Sequence, residues 1–117
     1  MKHRSMAIFL TGVFIATLLS STSVSAQQTI TVRAMEFGFE PSTINVKAGQ
    51  KVKLVLKNTG TIVHNLAIKE LGVKTATIRG GETYSLEFTP QRTGRFTFVC
   101  TLRGHADRGM RGTLVVE

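Results

Sequence analysis

The chain of 117 residues has no tryptophan and a single cysteine, Cys100. One thiol cannot close an intrachain disulfide, which excludes the disulfide-stapled scaffolds common among small exported domains. Acidic side chains are scarce, with seven Asp and Glu against fifteen Lys and Arg and a formal charge of +8. The main apolar stretch, Met6 to Leu19, covers 14 residues, short of the roughly 20 that a membrane-spanning helix needs. No segment carries a convincing amphipathic-helix period, and repeats, linkers and low-complexity tracts are absent. A chain of this length builds one core, so long multidomain enzymes are excluded.

At the N-terminus, Lys2 and Arg4 precede the apolar stretch, and Ser20 to Ser25 lead into Val24-Ser25-Ala26, a small-residue cleavage pattern. This order predicts a secretory signal peptide over residues 1–26 and an exported, periplasmic or otherwise secreted, domain over 27–117. An uncleaved anchor is the weaker alternative. Loss of Lys2 and Arg4 with the leader, and of no acidic residue, leaves the domain near +6. In an oxidising compartment a lone thiol needs a reason. It is either an inert buried Cys, which packs like a small hydrophobe, or a ligand.

Beyond the leader the hydrophobic period is two, the signature of strands. Ile30, Val32 and Ala34 alternate with Thr29, Thr31 and Arg33; Ile44 and Val46 with Thr43, Asn45 and Lys47; Val52, Leu54 and Leu56 with lysines and Val55. Further runs are predicted at Ala76 to Arg79, Thr83 to Phe88, Arg95 to Cys100 and Gly112 to Val116. Pro41-Ser42, Ala48-Gly49-Gln50, Asn58-Thr59-Gly60 and Gly80-Gly81 punctuate them with turn chemistry. Short strands at this spacing predict an all-β fold, a Greek-key β-sandwich of seven to eight strands. Phe96, Phe98 and Cys100 share a phase, so the thiol is expected to face inward at the end of a core strand.

Only two His and two Met follow the leader: His64, His105, Met35 and Met110. Cys100, His105 and Met110 fall at equal spacing on one predicted loop between two strands, and His64 lies upstream in Thr61-Ile62-Val63-His64-Asn65-Leu66. A thiolate, two imidazoles and a weak axial thioether form the donor set of a mononuclear blue-copper electron-transfer site. The thiolate suits Cu(I), imidazole suits both oxidation states, and a weak thioether lets both keep nearly one geometry.

On these residues the chain resembles the cupredoxin superfamily of small secreted type I copper proteins. The resemblance spans most of residues 29–117. It rests on Phe39-Glu40-Pro41-Ser42-Thr43-Ile44-Asn45-Val46-Lys47-Ala48-Gly49, on His64-Asn65, on Cys100-Thr101-Leu102-Arg103-Gly104-His105 and on Met110-Arg111-Gly112-Thr113-Leu114-Val115-Val116. It implies one copper per chain, cycling between Cu(I) and Cu(II), with His64, Cys100 and His105 in the trigonal plane and Met110 axial. It further implies that Asn65 ties the His64 loop to the Cys100 loop and that the His105 ring edge is the electron port. The implied function is single-electron shuttling between redox partners by a monomer, without catalysis. Many relatives carry Pro immediately before the Gly-His of the ligand loop, where this chain has Arg103. Arg103, Arg108 and Arg111 crowd a loop that relatives surround with apolar residues, which points to a partner with an acidic docking surface and to a raised potential.

Blander readings compete for each residue alone: a satisfied loop histidine for His64, core filler for Met110. They weaken jointly, because both His of the exported domain and the only Cys fall in one ligand pattern. Zinc also takes Cys and His, but the thioether and the lack of a fourth hard or thiolate ligand disfavour it. Met35 reads as strand packing, and Lys51, Lys53 and Lys57 as a solvated sheet face rather than a nucleic-acid site. Multicopper oxidases and copper nitrite reductases need further His clusters, the binuclear oxidase site needs two Cys, and a Cys-His nucleophile fits an inward-facing thiol poorly. The closest alternative is a periplasmic copper-handling protein, for storage or delivery, built on the same ligands.

Overall fold

The structure, a computed structural model, describes residues 11–18 and 27–117. Most of the predicted leader, residues 1–10 and 19–26, lies outside the described residues. Among the described residues no helix is long and apolar enough to cross a membrane.

Among the described residues nine strands follow one another: β1 Gln28–Met35, β2 Gly38–Glu40, β3 Thr43–Val46, β4 Val52–Asn58, β5 Ala67–Ile68, β6 Val73–Lys74, β7 Thr83–Phe88, β8 Gly94–Val99 and β9 Arg111–Val116. A single 3₁₀ turn, Lys69–Leu71, separates β5 from β6. The strands form two sheets, ordered β2-β1-β4-β7 and β3-β9-β8-β5-β6. β1 runs parallel to β4 and β3 parallel to β9, while the other pairs are antiparallel. The chain therefore leaves the first sheet after β2, crosses to the edge of the second as β3, and returns as β4.

Alternation explains why these segments pair as they do. In β4, Val52, Leu54 and Leu56 are buried between Lys51 and Lys57, which are exposed. In β8, Phe96 and Phe98 turn inward while Arg95 and Thr97 face water. A one-residue slip of either strand would exchange these faces, so burial fixes the register. The two inner faces meet through Val32, Leu54, Leu56, Phe39, Phe98 and Leu114. Phe39 and Phe98 touch edge to face with centroids 5.3 Å apart.

The predicted run at Ala76 to Arg79 is not a strand. Its one ladder contact is an isolated bridge between Ile78 and His64. Thr75 donates its N–H to Leu66 O, and the Ile78 carbonyl also accepts from the buried Asn58 side chain at 3.0 Å. The segment thus lies against the His64 loop instead of a sheet. The sequence reading also omitted β2, β5 and β6, which hold two or three residues each and are too short to display a period.

One close approach limits the core beside the ligand loop. Gly112 on β9 pairs with Phe98 on β8, and a Cβ at Gly112 would run into the Phe98 ring. Phe98 has no exposed surface and so no room to retreat. Gly112→Val is therefore expected to destabilise the fold by about 1–3 kcal/mol through overpacking. An unchanged urea midpoint would contradict this packing.

Candidate metal centre

Two loops meet at one end of the sandwich. His64 lies on the segment after β4, Cys100 directly follows β8, and His105 sits on the 101–110 loop that leads into β9. One side-chain donor atom from each of His64, Cys100 and His105 lies within 4.8 Å of the other two. His64 and Cys100 are buried, and His105 is half-buried. Among the described residues these three form the cluster of His, Cys and acidic groups able to hold a metal ion.

Each is held by the backbone around it. His64 exchanges two main-chain hydrogen bonds with Ile78, at 3.0 and 2.9 Å. Asn58, at the end of β4, donates through Nδ2 to Ile62 O at 2.8 Å and accepts from Gly60 N–H at 2.9 Å, which shapes the turn before His64. Asn65 joins the His64 segment to the Cys100 loop: its Nδ2 donates to Thr101 Oγ1 at 2.7 Å, and its Oδ1 accepts the Thr101 N–H at 2.8 Å. The tie that the family resemblance implied for Asn65 is therefore present.

The ligand loop is closed upon itself. Cys100 N–H donates to Met110 O at 3.2 Å, and the N–H groups of His105 and Met110 donate to Leu102 O and His105 O, each at 3.1 Å. Met110 is fully buried and is linked through its main chain to both Cys100 and His105.

The donor atoms suit a metal. Cys100 Sγ lies 3.5 Å from His105 Nδ1. The His64 ring faces the His105 ring at 5.2 Å, and its Nδ1 is buried with no hydrogen-bond partner. A buried, unpaired ring nitrogen is costly unless something fills its lone pair. Burial, followed by the neighbouring His64 and Arg108, lowers the His105 pKa, which favours the neutral imidazole a metal requires.

Sequence reasoning missed Glu36, in the turn between β1 and β2. Its Oε1 accepts the Thr61 N–H at 2.9 Å and the Ile62 N–H at 3.0 Å, and lies 2.9 Å from His64 Nε2. The only available signal was an acid between Met35 and Phe37 in an acid-poor chain, and its role depends on a contact 28 residues away.

The surroundings of His105 are mixed. Phe37 meets its ring edge to face at 5.2 Å, and Arg108 stacks over Phe37 at 4.9 Å. Arg111 donates from Nε to Ala106 O at 3.1 Å and lies 4.0 Å from Asp107. Arg103 is exposed. Ile62 and Val63, 40% and 42% exposed, add an apolar element on the His64 loop that a reading centred on the arginines overlooked. Met35 is half-buried at the end of β1, and Lys51 and Lys57 lie on the wet face of the first sheet.

The chain belongs to the cupredoxin-like domain family, whose pattern it matches over residues 8–116. It is 29% identical to the copper-resistant cuproprotein CopI of Rubrivivax gelatinosus, over 81% of this chain and 70% of that protein. Its fold is similar to that of sodium-dithionite-reduced auracyanin from Roseiflexus castenholzii, with a TM-score of 0.70 and 22% identity, covering 79% of this chain and 98% of the other. Auracyanin B aligns with a TM-score of 0.68 and 26% identity, over 79% and 89% of the two chains.

The Glu36 contacts make stability depend on pH. The Ile62 N–H, followed by the His64 side chain, lowers its pKa from 4.5 to about 2. A carboxyl whose pKa is lower in the folded state contributes stability that is complete above its unfolded pKa and is lost as pH falls through the folded one. The metal-free chain is therefore expected to lose stability between about pH 4.5 and about pH 2, and Glu36→Gln to lose less over the same range. Denaturant melts at the two ends of the window check this, and parallel losses in both proteins would refute it.

Proposed function

We propose that the chain is an exported mononuclear type I copper protein that carries single electrons between redox partners. The observation that carries this reading is the preformed cluster of one buried thiol and two imidazoles, with the His64 Nδ1 lone pair buried and unpaired. His64, Cys100 and His105 would hold the ion, and the buried Met110 thioether would be a further, weak donor. Copper in such a set supplies a one-electron couple between Cu(I) and Cu(II). The chain's part is to keep the donors fixed. His64 is pinned by Ile78, Cys100 by Met110, and the two loops by Asn65 and Thr101. Fixed donors reduce the nuclear movement that accompanies a change in oxidation state. His105, half-buried where His64 is fully buried, is the donor nearest to water and the port for the electron. No bond-making acid or base is required of the site, so the protein acts as a carrier and not an enzyme.

A second reading, copper storage or delivery, is favoured by the 29% identity to a copper-resistant cuproprotein. It requires the ion to leave, whereas the buried and cross-tied donors favour retention. Both readings place the protein in the periplasm or another exported compartment, with the leader removed and residues 27–117 as the working domain.

The purified, Cu(II)-loaded chain is expected to show intense thiolate-to-copper absorption at one copper per chain, and Cys100→Ser to lose that band, because a hydroxyl is a harder and weaker donor than a thiolate. Colour surviving in Cys100→Ser would refute the assignment. Under challenge by a Cu(I) chelator the carrier keeps its metal, while rapid surrender favours delivery.

The partner is proposed to present an acidic surface to Arg103, Arg108 and Arg111. Attraction between opposite charges accelerates encounter and weakens with ionic strength, since screening sets in over about 10 Å at 0.1 M salt. Changing all three to Gln, with the visible spectrum unaltered, is expected to slow second-order electron transfer to an acidic acceptor and flatten its salt dependence. An unchanged rate and slope would leave these arginines with no docking role.

A further inference from the structure

We infer that Glu36 is a positioning residue for the metal centre: its carboxylate selects the His64 tautomer that frees Nδ1 and places a negative charge one imidazole from the ion, favouring Cu(II) over Cu(I). The inference rests on the copper reading above and concerns a residue outside the donor set.

For the neutral His64 ring the geometry leaves one consistent tautomer. Glu36 Oε1 already accepts the Thr61 and Ile62 N–H groups, and His64 Nε2 lies 2.9 Å from the same oxygen. A carboxylate accepts, so Nε2 carries the proton. A neutral imidazole has one donor and one acceptor nitrogen, which makes Nδ1 the bare lone pair. That atom is buried and has no protein partner. The opposite tautomer would set the Nε2 lone pair against the carboxylate and an N–H in a buried position without an acceptor. Nδ1 would remain without a partner, and the favourable Nε2–Glu36 contact would become a repulsive one.

The carboxylate is also held in place. Its side chain is 28% exposed, and the Gly60 backbone approaches so closely that a Cβ there would collide with it. The two N–H donors and the glycine form a cradle that fixes the charge relative to His64. A carboxylate hydrogen-bonded to a ligating His fixes the ring and raises its basicity. Greater basicity and the added negative charge both stabilise the more highly charged ion. Glu36 therefore opposes the positive field of the three loop arginines.

The test compares wild type, Glu36→Gln and Glu36→Asp. Gln keeps an acceptor oxygen but removes the charge, while Asp keeps the charge on a shorter side chain. In the metal-free wild-type chain, long-range proton–nitrogen NMR correlations are expected to show His64 protonated at Nε2, and protonation at Nδ1 would overturn the inference without involving copper. In the loaded proteins, Glu36→Gln is expected to keep the visible band and one copper per chain. Its Cu(II)-to-Cu(I) affinity ratio should fall about tenfold, equivalent to a rise of about 59 mV in the one-electron potential. Glu36→Asp should remain nearer to wild type. An unaltered potential in a coloured Glu36→Gln protein, or an equal shift in Asp and Gln, would overturn the charge assignment alone. A wild-type chain lacking the thiolate band would instead overturn the copper reading itself.

Discussion

The candidate metal centre depends on a pair of hydrogen bonds between Asn65 and Thr101, which join segments 36 residues apart in sequence. Without that tie, the His64 segment would keep its bonds to Ile78, Asn58 and Glu36 but lose its side-chain link to the loop that carries Cys100 and His105. Asn65 is 1% exposed, and both bonds of the pair are part-buried. In such surroundings an unmade hydrogen bond costs more than a made one contributes, so the two loops have one favourable arrangement. The sandwich supplies rigidity, and the Asn65–Thr101 pair converts it into a fixed distance between donors.

Much of this arrangement is legible in the sequence. The two-residue period exposed β1, β3, β4, β7, β8 and β9, because each sets its more covered residues on one face and its wetter ones on the other over enough residues to repeat. The proximity of His64, Cys100 and His105 was legible through scarcity, since a chain with one Cys and so few His has few ways to assemble a ligand cluster. The short strands β5 and β6 were not legible, because two residues carry no period. Ile78 misled for a different reason: it is buried like a strand residue, but its main chain pairs with His64 across a single bridge.

Glu36 was hidden by distance. Locally it is an acidic residue in a turn after a strand, where solvation is the ordinary expectation. Its role arises only when the β1–β2 turn packs against the 59–64 loop and the Thr61 and Ile62 N–H groups point at one oxygen. Charges around the centre then divide by geometry. Glu36 acts through His64 from the β1–β2 turn, whereas Arg103 and Arg108 are exposed on the loop that carries His105. Arg111 is partly committed to Ala106 and Asp107, so the three arginines are unequal in their freedom to meet a partner.

This division gives the two imidazoles different tasks. His64 has one ring nitrogen on a carboxylate and the other buried without a partner, with no solvent contact, which suits it to anchor the site. His105 has a pKa lowered chiefly by burial, packs against Phe37, and retains partial exposure, so it links the site to the surface. A protein built to release its ion would gain from a loosely held donor on the exposed side. Here that side is closed by the Met110–Cys100 and Met110–His105 main-chain bonds and by the Arg108–Phe37 stack. Exposure of a ring edge without freedom of the backbone passes an electron more readily than an ion, and on that physical ground the carrier reading is preferred to delivery.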